Sequence, residues 1–216
     1  RRTSKVYQNN HGELTDTGAK LTGVSSGCAV WADYDNDGDL DILLSGYDAE
    51  SNKIAEIYRN DGGVFVNSYV ALPGIYNSSA AWGDYDNDGY MDILLTGQAD
   101  DRKLSEVYRN NGKGQFIAVN ATLDNVSNGE AVWEDYDNDG YLDILLTGEN
   151  DWNRISKIYR NNLGRSQSSG GDLQKAIAVL KILVGIPADY YDDINSDGKV
   201  GMEEVLFHLR HAANLE

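Results

Sequence analysis

Short runs of apolar residues, separated by clusters of Gly, Asn and Asp, dominate residues 1–163 of the chain. The run DILL occurs three times, from Asp41, Asp92 and Asp143, and shows no alternation of apolar and polar positions. Short unbroken runs of this kind predict strands that are buried on both faces, as in sheets that stack face to face. No run reaches the roughly 18 apolar residues that a membrane-spanning helix needs. The pattern predicts a mainly β protein without membrane insertion.

The apolar runs belong to a long internal repeat. WADYDNDGDLDILLSG begins at Trp31, and near-copies begin at Trp82 and Trp133, each 51 residues after the last. In the third copy, strands are predicted over residues 115–119, 130–135, 143–148 and 155–160, with turn-forming residues between them. Four antiparallel strands in a repeat of about 50 residues are typical of a β-propeller blade. The sequence therefore predicts three four-stranded blades over residues 1–163.

The count of repeats predicts that one chain does not close a propeller ring. A Y-x-N strand occurs four times, at Tyr7, Tyr58, Tyr108 and Tyr159, so three full units and one surplus strand are expected. An open stack would expose the apolar faces of its outer blades to water. We therefore expect a partial propeller that oligomerisation completes, and a homodimer of six blades is the favoured form.

The composition changes after Asn162. The stretch LGRSQSSGG is rich in Ser and Gly and predicts a flexible linker over residues 164–171. The following DLQKAIAVLKILVGIP has apolar residues at helical spacing and ends in Gly and Pro. With a second helix after it, this segment predicts a small α-helical domain over residues 172–214.

The repeated loop DYDNDGDLD places carboxylates at positions 1, 3, 5 and 9, and its glycine at position 6 permits a sharp turn. Alternate residues of a tight loop point to one centre, where carboxylates repel each other unless a cation lies between them. Many oxygen ligands without His or Cys favour Ca²⁺ over Zn²⁺, and the flexible loop favours it over Mg²⁺. The alternative is that Asp, Asn and Gly only form a turn, which three copies of one spacing disfavour.

The predicted ligands are equivalent residues of the three loops. Side-chain carboxylates are expected from Asp33, Asp35, Asp37 and Asp41, from Asp84, Asp86, Asp88 and Asp92, and from Asp135, Asp137, Asp139 and Asp143. Backbone carbonyls are expected from the residues at position 7, which are Asp39, Tyr90 and Tyr141. These residues define three predicted calcium sites.

A fourth calcium site is predicted in the helical segment. The stretch DINSDGKVGMEE has the spacing of an EF-hand loop, with Gly198 at the sharp turn. The predicted ligands are Asp193, Asn195, Asp197, the carbonyl of Lys199, and Glu204. The alternative is a polar turn between two helices, which the acid at the twelfth position disfavours.

Both segments resemble known families. Through its D-x-D-x-D-G-x-x-D loop and Y-R-N strand, the repeat resembles the FG-GAP or VCBS-type repeat of integrin α-subunit propellers and their bacterial relatives. The helical segment and its loop resemble the EF-hand modules called dockerins. These resemblances imply a calcium-binding propeller with a helical EF-hand module, secreted by a bacterium and located outside the cell or at the cell surface.

Charge excludes one class of partner. The formal net charge of −17 argues against binding to nucleic acid. The predicted ligands account for most of the excess of 35 acidic over 18 basic residues, so the expected positive partner is calcium. Three tryptophans recur with the repeat, which favours a packing role over sugar stacking, whereas Trp152 is out of phase and is a candidate for ligand contact.

The chain lacks the signatures of common enzymes. It contains no G-x-S-x-G, H-E-x-x-H or phosphate-binding loop, and His11 is the one histidine of the repeat region. We therefore expect no catalytic activity from this chain. The main hypothesis is an adhesion or protein-interaction module with a protein or glycan ligand. Two alternatives stay open: a carbohydrate-binding, lectin-type propeller, and a non-catalytic accessory fragment of a larger secreted enzyme.

Overall fold

The apolar runs form strands in a computed structural model that describes residues 1–163. Within these residues the structure has thirteen strands in four antiparallel sheets and no helix. The N-terminal hairpin consists of β1 (Tyr7–Asn10) and β2 (Glu13–Asp16). Sheet I consists of β3 (Ala29–Ala32), β4 (Asp41–Tyr47), β5 (Lys53–Asp61) and β6 (Val64–Asn67). Sheet II consists of β7 (Tyr76–Gly83), β8 (Asp92–Gln98), β9 (Lys103–Asn110) and β10 (Phe116–Ala118). Sheet III consists of β11 (Ala131–Glu134), β12 (Asp143–Glu149) and β13 (Arg154–Tyr159).

The prediction of a mainly β protein is confirmed for the described residues. No helix within them has the length and hydrophobicity that a membrane crossing requires. The predicted linker and the predicted EF-hand domain lie outside the described residues.

The structure corrects how strands are assigned to sheets. We expected residues 115–119 to open the third unit, but Phe116–Ala118 pairs with Lys103–Asn110 and closes sheet II. A strand pairs readily with the strand to which a short turn joins it, and the connection from β10 to β11 is longer. Consequently, sheets I and II have four strands each, and sheet III has three within the described residues. The strand around Tyr7 is not a single surplus strand, because it pairs with β2.

The DILL runs predict strands buried on both faces, which is confirmed for β4 and β8 but not for β12, where Leu145 is exposed. β4 and β8 are buried along six of their seven residues. Leu43 and Ile57 of sheet I pack with Ile93 and Leu95 of sheet II. The opposite face of sheet II packs on sheet III, where Leu94 contacts the cluster around Leu146. The three sheets are therefore stacked face to face, and the repeat buries its apolar faces against copies of itself.

The two ends of this stack differ. Val6, from the segment before β1, covers Ile42 on the outer face of sheet I. On the outer face of sheet III, Leu145 is 42% exposed, although its equivalents Leu43 and Leu94 are fully buried. Ile158 on the same face is 58% exposed. Within the described residues, sheet III thus exposes an apolar face, whereas the equivalent faces of sheets I and II are covered.

Candidate metal centre

Each acidic loop joins the first two strands of a sheet and has the same backbone path. The loops connect β3 to β4, β7 to β8, and β11 to β12. Their fourth and sixth residues have positive φ angles, which Asn and Gly adopt more readily than other residues. These angles are 61°, 58° and 57° at Asn36, Asn87 and Asn138, and 95°, 89° and 89° at Gly38, Gly89 and Gly140. The prediction that glycine enables the turn is confirmed.

The first aspartate of each loop closes the turn. Both oxygens of Asp84 accept hydrogen bonds from backbone N–H groups, at 3.0 Å from Asp88 and 2.9 Å from Gly89. Asp33 and Asp135 make the same pair of bonds in their own loops. Each of these carboxylates is thereby fixed in orientation before any ion binds.

The last aspartate of each loop is buried at the start of the second strand. Asp92 is fully buried, and its two oxygens accept from the backbone N–H groups of Tyr85, at 3.0 Å, and Asn110, at 2.8 Å. Asp41 has the same two bonds in the first loop. Asp143 accepts from Asn161, but its Oδ2 is buried and has no hydrogen-bond partner among residues 1–163. One buried acceptor of the third loop is therefore available to a further ligand.

The structure brings three carboxylates together in each loop, with one oxygen from each residue within 4.8 Å of the other two. The three groups are Asp33, Asp35 and Asp37; Asp84, Asp86 and Asp92; and Asp135, Asp137 and Asp143. In the second group, Asp86 Oδ1 is buried and has no hydrogen-bond partner in the described part of the chain. Clustered carboxylates of this kind can bind a metal ion through oxygen.

Three predicted ligands lie outside these groups. Asp41 has the same two backbone bonds as Asp92, but in the first loop Asp37 takes its place in the group. Asp88 pairs with Arg109 at 2.8 Å, and Asp139 pairs with Arg160 at 3.3 Å. The remaining predicted residues of the loops, Asp39, Tyr90 and Tyr141, each donate a backbone N–H to the aspartate at position 5. Their carbonyls stay predicted ligands. The five EF-hand residues lie outside the described residues.

Sequence reasoning missed the arginines of the Y-R-N strand. Arg109 contacts Asp86 at 2.6 Å as well as Asp88, and Arg160 contacts Asp137 as well as Asp139. In the first loop, Arg59 instead pairs with Asp61, at 2.8 Å. The recurrence of Y-R-N in register with the loop was the available signal. These arginines partly neutralise the second and third clusters, whereas the first lacks an ion pair of this kind within the described residues.

Neighbouring loops are connected. Asn36 donates its amide to the carbonyl of Gly89 at 2.9 Å, and Asn87 donates to the carbonyl of Gly140 at 2.8 Å. Tyr34 stacks on Trp82, with centroids 6.1 Å apart, and Tyr85 stacks on Trp133 at 6.2 Å in the same way. Trp82 and Trp133 thus have the packing role expected for the recurring tryptophans, whereas Trp31 is 49% exposed. These contacts bring the acidic loops to one edge of the stacked sheets.

Burial changes the acidity of the last aspartate. Removal from water raises the pKa of Asp92 to about 7 and that of Asp41 to about 6, above the ordinary value of 3.8. The backbone N–H bonds act in the opposite direction but do not outweigh burial. Burial also raises the pKa of Asp86, and nearby Asp88 adds to that effect. Without a cation, Asp41, Asp86 and Asp92 of the first two loops therefore hold a proton more tightly than they do in an unfolded chain.

We expect the metal-free chain to lose stability as the pH rises through the raised pKa values of Asp41 and Asp92. Because their folded pKa values lie above the ordinary value, the stabilising contribution is complete below about 3.8 and is lost by about pH 7. Calcium binds the ionised form, so its stabilising effect should be larger at about pH 8 than at about pH 5. Thermal unfolding in EDTA and in calcium at both pH values measures this.

The matched control for the pH experiment is Asp92→Asn, which removes one titrating group. The difference in unfolding temperature between this variant and the parent chain should change between pH 5 and pH 8. This range lies mostly between the ordinary pKa of 3.8 and the folded pKa of Asp92, about 7, and extends slightly above it. A difference that is constant with pH would contradict the assignment of the raised pKa to Asp92.

Comparison with known protein families gives one match within the stacked sheets. It covers residues 33–95, which include the first two acidic loops, all of β4 to β7 and the start of β8. No curated protein matches the chain. Residues 33–95 are similar to the FG-GAP-like repeat.

Proposed function

We propose that this chain is a non-catalytic, calcium-binding module that presents its β-sheet surfaces to a protein or glycan partner outside the cell or at the cell surface. The observation that carries the proposal is a cluster of three carboxylates in each of the three loops, whose first aspartate accepts the same backbone hydrogen bond in every loop. The FG-GAP-like repeat supports the protein-interaction part.

Three features favour calcium as the ion. All grouped ligands are carboxylates, which suit hard cations. In the third loop, Asp143 is only 2% exposed and leaves Oδ2 unpaired within the group, and an unpaired buried acceptor costs free energy unless a ligand meets it. Backbone carbonyls at position 7 would raise the ligand number toward the six to eight oxygens that Ca²⁺ prefers. We propose three loop sites and, from the sequence, one EF-hand site.

The proposal is tested by counting bound calcium. Asp137→Asn should lower the calcium content of the full chain by one ion, because this carboxylate belongs to the third cluster and its partners there cannot replace it. Equilibrium dialysis followed by elemental analysis gives the count. Glu204→Ala should remove one different ion, from the proposed EF-hand loop.

The matched control is Asp101→Asn, an exposed aspartate in the turn between β8 and β9. This variant removes the same charge and should keep every ion. An equal loss of calcium in Asp137→Asn and Asp101→Asn, or a parent chain that binds none, would contradict the proposed metal sites.

We also propose that the chain associates with a second copy through the outer face of sheet III. Leu145 and Ile158 are exposed there, whereas the equivalent face of sheet II is covered by a neighbouring sheet. Burying such a face in a symmetric dimer removes apolar surface from water. The parent chain should therefore scatter light as a dimer at micromolar concentration, and Leu145→Asp should be monomeric.

Val64→Asp provides the control for the self-association experiment. Val64 is 64% exposed on β6 of sheet I, so the charge is placed on a different edge. This variant should stay dimeric. A parent chain that is monomeric near its mass of 23.8 kDa would rule out this interface.

A further inference from the structure

Sheet III lacks, within the described residues, the outer strand that sheets I and II possess. In sheets I and II, β6 pairs with β5 and β10 pairs with β9, whereas β12 is the only strand of residues 1–163 that pairs with β13. The residue that follows the outer strand also bonds the neighbouring strand in sheets I and II. Ser68 donates its backbone N–H to the carbonyl of Ile57 at 2.8 Å, and Val119 donates to the carbonyl of Val107 at 3.0 Å. Ile158 of β13 is the equivalent position. The edge of β13 therefore has the geometry of a strand acceptor.

The missing strand also leaves a pocket. In sheet II, the outer strand places Phe116 with its ring centroid 5.9 Å from those of both Tyr34 and Trp82. Phe65 of sheet I lies at the same distance from Trp31. In sheet III, a pocket of about 210 Å³ lies against Tyr85 and Trp133, the equivalents of Tyr34 and Trp82.

The pocket has apolar walls on two sides, and Thr122, Arg160, Asn161 and Asn162 line its polar part. Val107, Val119 and Leu123 contribute its wall beside sheet II, and Leu142 and Ile144 contribute its wall in sheet III. An aromatic ring entering here would contact groups like those that surround Phe116. The chain itself therefore shows, in sheet II, what this pocket accommodates.

The sequence that directly follows sheet III does not provide this ring. Phe116 corresponds to Gln167 at the repeat spacing, and the stretch GRSQSSGG after Leu163 contains no aromatic and no large apolar residue. Strand β2 of a second copy carries Leu14 opposite Asn9, where sheet I has Phe65 opposite Asn60. However, β2 is already paired with β1, and leucine is smaller than the phenylalanine found at the other two positions.

We propose that the β13 edge and this pocket bind an extended segment of a partner protein, which pairs with β13 and places an aromatic side chain against Tyr85 and Trp133. Backbone hydrogen bonds to an exposed strand give affinity, and a pocket for one side chain gives selectivity. The inference names the partner class for the interaction part of the proposed function and rests on that part.

The probe is a labelled peptide of residues 113–120, KGQFIAVN, which contains the outer strand of sheet II. Fluorescence anisotropy with the calcium-loaded full chain should show saturable binding. The peptide with Phe116→Ala should bind about tenfold more weakly or worse, because it lacks the buried ring. A peptide methylated on the Val119 nitrogen should also bind more weakly, because it lacks the N–H that donates to the carbonyl of Val107 in sheet II. Ala121→Trp in the protein should fill the pocket and abolish binding.

Equal affinity of the three peptides, or no binding at about 1 mM peptide, would overturn the proposal. Binding that appears only in a Leu14→Asp chain would assign the groove to β2 of a second copy and would also overturn it. If Ala121→Trp fails to fold, the two altered peptides still decide the result. Calcium content is measured on the same samples, so failure of the metal sites and failure of the peptide site are distinguishable.

Discussion

Excess EDTA should lower the thermal unfolding midpoint of the calcium-loaded chain by about 5–10 °C for each loop that loses its ion. The estimate assumes calcium at about 100 times its Kd, where one site contributes about 2.7 kcal/mol. The physical cause is the convergence of three carboxylates within 4.8 Å in every loop. Without a cation, their mutual repulsion and the burial of Asp92 oppose the folded loop.

The loops should respond unequally to chelation. Arg109 and Arg160 contact the second and third clusters, but Arg59 pairs with Asp61 outside the first cluster. Chelation should therefore disorder the first loop more than the other two, and amide hydrogen exchange should rise there first. Returning calcium should restore both the midpoint and the exchange protection. An unfolding curve that EDTA leaves unchanged, in a sample shown to have contained bound calcium, would refute the metal assignment.

Asp92→Ala should lower the free energy of unfolding by about 2–5 kcal/mol even in EDTA. This carboxylate is fully buried and accepts the backbone N–H groups of Tyr85 and Asn110. Alanine would leave both donors buried without an acceptor, at the point where the loop meets β8 and β9. Urea unfolding followed by tryptophan fluorescence measures the change, at about pH 8 so that Asp92 is ionised in the parent chain.

Two variants separate anchoring from charge and metal binding. Asp92→Asn keeps one acceptor oxygen and removes the buried charge, so it should lose less stability than Asp92→Ala in EDTA. Asp101→Ala, in an exposed turn, should lose no more than about 0.5 kcal/mol. If Asp92→Ala and Asp101→Ala unfold alike in EDTA, Asp92 has no anchoring role, whatever its part in calcium binding.

The loop sites were largely readable from the sequence because each site is local. Position in a tight loop decides which side chains converge, so Asp84 and Asp86 were identified correctly as neighbours from their spacing. Position 9 was also identified, but its structural role was not. The bond from Asn110 to Asp92 joins residues far apart in the sequence, and only the pairing of β8 with β9 brings them together.

The arginines show the same limit. Arg109 follows Asp86 by many residues, and nothing in their spacing indicates contact, yet they lie 2.6 Å apart. The equivalent Arg59 turns to Asp61, a carboxylate that the other two units replace with Asn111 and Asn162. The carboxylate that each arginine contacts therefore depends on its neighbour in the sequence and on the acidic loop that strand pairing brings within its reach.

The sequence by itself determined the β class, the period of the repeat, the central buried strands and the three acidic loops, since each follows from apolar pattern, turn chemistry or spacing within one segment. Only the tertiary structure decided that Phe116 closes sheet II, that sheet III has three strands within the described residues, and that one apolar face and one pocket stay open there. The physical reason is that strand pairing and sheet packing are contacts between distant segments. A periodic sequence offers each strand equivalent partners on both sides, and the short turn after β9 selects between them.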